Sequence, residues 1–148
     1  MKRITVKKSI SINAQPEKVW NVLFGAKETY EAWAKEFSEG STIEGDWSID
    51  SAVVMKDKTG NGLIARILKN TKNEVLVMEY EGVLVDGQKE YSGPAADAMN
   101  GGMESYMLES TGSGTELYVE SDIGEDFVDA TSAAWDRALE IIRMLAEK

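Results

Sequence analysis

The chain of 148 residues contains no cysteine and no histidine. Without cysteine there can be no disulfide, no thiolate metal site and no cysteine nucleophile, although that absence alone does not fix a compartment. Without histidine, the commonest general base near neutral pH and the commonest transition-metal ligand are both gone. The usual catalytic triads and zinc sites are therefore excluded, and neither a metal nor a cofactor is expected. Long hydrophobic runs are missing too. No uninterrupted apolar stretch is longer than residues 52–55, so nothing reads as a membrane span. Met1-Lys2-Arg3 leads into an alternating strand instead of the apolar core of a signal peptide. The expectation is a cytoplasmic protein with no stable membrane association.

Positive charge is absent from a third of the chain. Between Glu90 and Asp136 there are eleven acidic residues and no Lys or Arg, within a net charge of −10. Phosphate backbones and anionic lipid surfaces would be repelled by that part, so no nucleic-acid partner is expected. At the other end Lys2, Arg3, Lys7 and Lys8 precede the first acid, Glu17. On a short strand such cations read as protection against edge-to-edge pairing.

What is present is an ordinary core. With 43% hydrophobic residues, the chain reads as one domain over residues 1–148. Ile4, Val6, Ile10 and Ile12 alternate along a first strand, with Lys8 interrupting the series as an exposed strand-edge residue. Pro16 then suits the first turn of a helix, whose buried stripe is Val19, Leu23 and either Trp20 or Val22. A second short helix over residues 27–37 places Tyr30, Trp33, Ala34 and Phe37 on one face. A short strand over 41–47 follows, with a turn at Gly45-Asp46.

A meander comes next: Ile49, Ser51, Val53 and Met55 on one face, a turn at 58–62, a returning strand over 63–69, a turn at 70–73 and a long strand over 74–85. In that long strand Leu76, Met78 and Tyr80 are the better inner face, because the opposite set ends in acids. Residues 86–102 lose regular patterning except for one helical turn at 95–99, and read as a loop capping one end of the sheet. Strands over 103–110 and 116–122 are joined by a glycine-containing turn, and a helix over 127–146, about 30 Å long, closes the chain. The glycine clusters at 60–62 and 112–114 lack the strand-to-helix context of phosphate loops and read as hairpin turns.

Several segments in this order carry a resemblance: Ala14-Gln15-Pro16-Glu17-Lys18-Val19-Trp20, Trp33, Gly82, Asp86-Gly87, Glu104-Ser105-Tyr106-Met107-Leu108, Gly114-Thr115-Glu116-Leu117 and Trp135-Asp136-Arg137-Ala138-Leu139-Glu140. Over nearly its whole length the chain resembles the homologues of the activator of heat-shock chaperone ATPase, within the START-like, or SRPBCC, superfamily. The resemblance implies an α+β helix-grip fold: a curved antiparallel sheet of six to seven strands wrapped around a long C-terminal helix, with two short helices after the first strand. It also implies a hydrophobic cavity between sheet and helix. The chain departs from similar proteins over residues 92–102, where they often place a bulky tryptophan and this chain has Met99 and Gly101-Gly102.

The candidate lining of that cavity is Trp33, Phe37, Met55, Met78, Tyr80, Met99, Met103, Tyr106 and Trp135, rich in methionine that adapts to several apolar shapes. Glu104 is the sharpest polar candidate, because it shares a strand face with Tyr106 and Leu108. Arg66 shares one with Ile64 and Leu68. If both faces point inward, Glu104 could pair with Arg66, or Tyr80 and Tyr106 could satisfy it; Arg66 reads better as a structural pair or a strand rim. The leading reading is non-catalytic binding of a small apolar or amphipathic ligand, by a monomer or homodimer. A stress-related, co-chaperone-like module acting on a protein partner is the second. A cofactor-independent cyclase or hydratase using Glu104 with Tyr106 is the third.

Overall fold

The computed structural model of the chain describes residues 2–148. Among them, eight strands form one antiparallel sheet: β1 (Arg3–Ile12), β2 (Thr42–Glu44), β3 (Ala52–Lys56), β4 (Gly62–Thr71), β5 (Val75–Val85), β6 (Gln88–Glu90), β7 (Met103–Ser110) and β8 (Thr115–Gly124). Their order is β1-β8-β7-β5-β4-β3-β2, with β6 paired to the last residues of β5. Helix α1 (Pro16–Trp20) runs into a π-helical turn, Asn21–Gly25, before α2 (Lys27–Ala34). Helix α3 (Pro94–Met99) lies in the segment before β7, and the 3-10 turn Glu125–Phe127 leads into α4 (Val128–Ala146). The expected α+β architecture, a curved antiparallel sheet closed by a long C-terminal helix, is observed. The three-residue strand β6 is an addition to it.

The apolar periods place the core. Val6, Ile12, Leu76, Met78, Tyr80, Tyr106, Leu108, Leu117 and Val119 are buried on the inner face of the sheet. Against them α4 turns Trp135, Ala138, Leu139, Ile142 and Ala146, a stripe at spacings of three and four. Val19, Trp20, Val22 and Leu23 are all buried, so the first helix and its π-helical turn enter the same core.

Three expectations need correction, for Lys8, Ile49 and Phe127. Lys8 is not an exposed edge residue. It lies under α4, its side chain only 23% exposed, with Nζ 2.8 Å from Asp136 Oδ1. That pair ties β1 to α4 and explains how a cation tolerates an otherwise apolar face. Arg66 takes its expected role as a structural pair at a strand rim: the face it shares with Ile64 and Leu68 is the outer one. There its guanidinium forks onto Glu81, with Nε to Oε2 at 3.0 Å and Nη2 to Oε1 at 3.2 Å, and donates to Asp50 O at 2.6 Å.

The inner positions of β4 are Ala65 and Ile67, neither with any measurable exposure. Ile49 stands outside any strand and is 56% exposed, because Asp50 adopts a left-handed backbone (φ 69°) that breaks the alternation before β3 begins. Phe127 belongs to the 3-10 turn, 55% exposed, and not to the buried stripe of α4.

Two bulges bend the middle of the sheet. Ile64 pairs with Gly82 and Ala65 with Tyr80, which leaves Glu81 unpaired on β5; Ile67 pairs with Met78 and Lys69 with Val77, which leaves Leu68 unpaired on β4. Each extra residue bends its strand and increases the local twist. The sheet therefore curves around α2 and α4 instead of lying flat against them.

Candidate functional site

The concave side of the bent sheet does not close completely. A cavity of about 300 Å3 lies between α2, α4 and the inner face of the sheet. Its wall is dominated by rings: Tyr30 and Trp33 from α2, Phe37 just after it, Tyr80 from β5, Tyr106 from β7 and Trp135 from α4. Successive rings touch in a connected chain. Tyr30 meets Trp33 edge-on at 4.9 Å between centroids, Trp33 stacks on Trp135 at 6.0 Å, and Phe37 meets Trp135 at 4.7 Å. Tyr106 meets Trp135 at 5.9 Å and, on another side, Phe24 of the π-helical turn at 5.0 Å. Such edge and offset contacts are the geometry that ring quadrupoles favour.

Glu104 of β7 lines the same cavity. Alternation along β7 turns Glu104, Tyr106 and Leu108 inward and sends Met107 out, where it is 52% exposed. Of the two partners weighed for its carboxylate, the structure selects the tyrosines. The Tyr80 hydroxyl donates to Oε1 and the Tyr106 hydroxyl to Oε2. No ion pair joins Glu104 to a Lys or Arg among the described residues.

Burial pushes the Glu104 carboxyl above the usual carboxylate range, and the two tyrosine hydrogen bonds offset this only in part. Burial, and next the charge of Glu104, raise the Tyr30, Tyr80 and Tyr106 hydroxyls above the ordinary phenol range. All three phenols are therefore protonated donors at neutral pH. A carboxylate offers about four lone-pair positions, so two hydrogen bonds leave it able to accept more.

The surroundings hold this constellation in place. The Tyr80 backbone donates to Gly102 O at 2.8 Å and accepts from Gly101 N–H at 2.9 Å, which stitches the segment after α3 across β5. That segment carries Met99 into the lining. On a more polar side of the cavity, Asp57 accepts from the Thr59 hydroxyl at 2.5 Å and the Ser38 hydroxyl at 2.7 Å, and these bonds hold its carboxyl below the usual range. The indole Nε1 atoms of Trp33 and Trp135 are both buried without an acceptor, two donors that the protein itself leaves unused.

Of the candidates read from sequence, Trp33, Phe37, Met55, Tyr80, Met99, Glu104, Tyr106 and Trp135 come together around the cavity. Met78 fills the core, 1% exposed, and Met103 lies on the opposite face of β7 from Glu104; neither reaches the cavity wall. Sequence reasoning passed over Tyr30, Ser121, Ile123 and Thr131 as site residues. The signals were present: Tyr30 stands one turn before Trp33 on one helix face, Thr131 one turn before Trp135, and Ser121 and Ile123 continue the inner alternation of β8. No group of three or more acidic side chains among the described residues is placed to hold a metal ion, and no described helix is long and apolar enough to cross a membrane.

No protein-family model and no curated protein matches the sequence. Solved structures do match the fold. Protein MLL2253 from Mesorhizobium loti superposes with a TM-score of 0.74 at 17% identity, covering 96% of each chain. The Aha1 dimer from Colwellia psychrerythraea superposes with a TM-score of 0.68 at 18% identity, over 97% of this chain and 96% of the other. DynU16, from the dynemicin biosynthetic locus, gives a TM-score of 0.69 at 12% identity, and this chain spans 47% of its length. At these identities the likeness establishes the fold, a helix-grip fold like that of Aha1.

Proposed function

We propose that the protein binds one small apolar or amphipathic ligand, without catalysis, in the cavity between sheet and C-terminal helix. The observation that carries this reading is the cavity of about 300 Å3 with a half-buried carboxylate and two tyrosine hydroxyls set into an aromatic wall. Ligand pockets have this composition, largely apolar with a few placed polar groups, and volumes from about 300 Å3 upward. The rings take the apolar body, and Glu104 with its tyrosines meets the polar end.

The test is native mass spectrometry of protein purified without detergent, followed by solvent extraction. A stoichiometric small molecule released on extraction, or one captured from a mixed library of lipids and polyketides, is the expected result. A bare mass after both steps removes the reading.

One observation favours a second reading. A carboxyl with raised proton affinity beside two phenol donors is an arrangement suited to proton abstraction next to a carbonyl, the chemistry of a cofactor-independent cyclase or hydratase. A solved neighbour from a biosynthetic locus is compatible with it. Glu104→Gln decides: under this reading it abolishes turnover of a bound ketone while binding survives, and an unchanged rate removes the carboxylate from the mechanism. The Aha1 neighbour, solved as a dimer, likewise supports a homodimer as the assembly to look for by sedimentation.

A further inference from the structure

We propose that the ligand carries a positively charged head, an alkyl- or arylammonium group, which Glu104 and the surrounding rings receive together. This rests on the ligand-binding reading above and narrows its chemistry.

Three observations meet here. Glu104 is a half-buried acid facing the cavity, whose oxygens accept from two neutral hydroxyls and, among the described residues, from no cation of the protein. A buried carboxylate left without a counter-charge is costly, and a cationic ligand supplies that charge. Next, Tyr106, which donates to Glu104, is also the ring that joins Trp33 and Trp135, at 6.4 and 5.9 Å between centroids. Aromatic rings attract cations through the negative face of their π system, most strongly where water is excluded.

The third observation is the charge map. β7, β8 and the first half of α4 supply Glu104, Tyr106, Ser121, Ile123, Thr131 and Trp135 to the cavity. All of them come from the stretch between Glu90 and Asp136 that has no Lys or Arg; of its acids Glu104 lines the cavity, where Asp57 joins it. Among the described residues Lys56 is the single cation in the lining; it is exposed and is followed by Asp57. A fatty-acid carboxylate or a phosphate head would meet a field of its own sign, and an ammonium the opposite one.

Matched probes separate the head from the body. Benzyltrimethylammonium, its uncharged isostere neopentylbenzene and the anion phenylacetate have closely similar bodies, and each can be titrated against the intrinsic fluorescence of Trp33 and Trp135. The ammonium is expected to bind at least about tenfold more tightly than the isostere, with phenylacetate weakest. In Glu104→Gln the ratio of ammonium to isostere should fall severalfold, with binding of the isostere retained.

If the isostere binds as well as the ammonium, or if Glu104→Gln leaves the ratio unchanged, the cationic head is refuted while the cavity reading stands. If no probe binds, both fall. Should Glu104→Gln fail to fold, a pH series on the unaltered protein replaces it. Acid protonates Glu104 and should erase the preference for the ammonium without changing affinity for the isostere. The other charged or titratable groups about the site are the phenols of Tyr30, Tyr80 and Tyr106, already protonated, Asp57, held below the usual range, the exposed Lys56, and Asp122, whose charge reaches Tyr80. A ratio that stays flat on acidification refutes the proposal.

Discussion

Glu104 is where the fold accepts a local cost. Its native carboxyl holds a proton to higher pH than the same group in an unfolded chain, where about 4.3 is ordinary. Well below the ordinary value both states are protonated and pH has no effect through this residue. Between the ordinary and the raised value the native state keeps a proton that the unfolded state has lost, so stability falls as pH rises. Above the raised value the penalty is complete and constant. Glu104→Gln removes this slope. The variant should gain stability relative to the parent as pH increases from about 4 towards neutrality, read as a widening difference in urea midpoints. A difference independent of pH would show that the Glu104 carboxyl is not raised. The residue could be singled out from sequence because an acid on an inward strand position is rare enough to notice. Its partners could not, since Arg66 and the two tyrosines satisfied the same pattern until the facing of β4 was known.

Elements turn on close approaches that alternation does not report. At Gly62, where β4 leaves its turn and meets β3, an added Cβ would stand 1.8 Å from Met55 O, a backbone atom that cannot move aside. At Gly87 nothing lies within 4 Å, and only the left-handed φ of 81° opposes a side chain. Gly62→Ala should therefore cost at least about 2 kcal/mol by forcing the β3–β4 pair apart. Gly87→Ala should cost about 1 kcal/mol of backbone strain. Thermal or urea unfolding ranks the two, and equal losses would contradict the packing argument at Gly62. In the sequence Gly62 reads as a turn residue and Gly87 as part of a loop, which is correct and incomplete. The turn requires one property of glycine, its φ range, and the strand junction requires another, the lack of a Cβ.

At the scale of the molecule, charge is the dominant asymmetry. A net charge of −10 on 148 residues makes the folded state repel itself, and screening relieves that more than it weakens the surface ion pairs. Lys58–Glu39 joins two exposed side chains and Arg137–Glu36 an exposed one to a half-buried one, and such surface pairs contribute little each. The melting temperature should therefore rise when salt is increased from about 0.01 M to about 0.15 M, over which the Debye length falls from roughly 30 to 8 Å. A fall would mean that the ion pairs outweigh the repulsion. Lys8–Asp136 is the pair to examine in that event, because among the described residues it alone lies between the sheet and α4.

The amino-acid sequence by itself determined what depends on local period and on composition. The alternation of β1, β5, β7 and β8, the three-and-four spacing of α4, the proline that opens α1 and the loss of cysteine and histidine chemistry all act within a few residues of chain, so they can be read in one dimension. Tertiary structure decided the rest, because it depends on pairings between distant segments. Two unpaired residues, Glu81 and Leu68, set the curvature of the sheet and place the Arg66 face outside. The register of β1 under α4 turns Lys8 from an edge cation into a buried-side partner of Asp136. The cavity itself is a gap left where the curved sheet, α2 and α4 cannot fill space completely, and a volume of that kind belongs to no residue of the sequence.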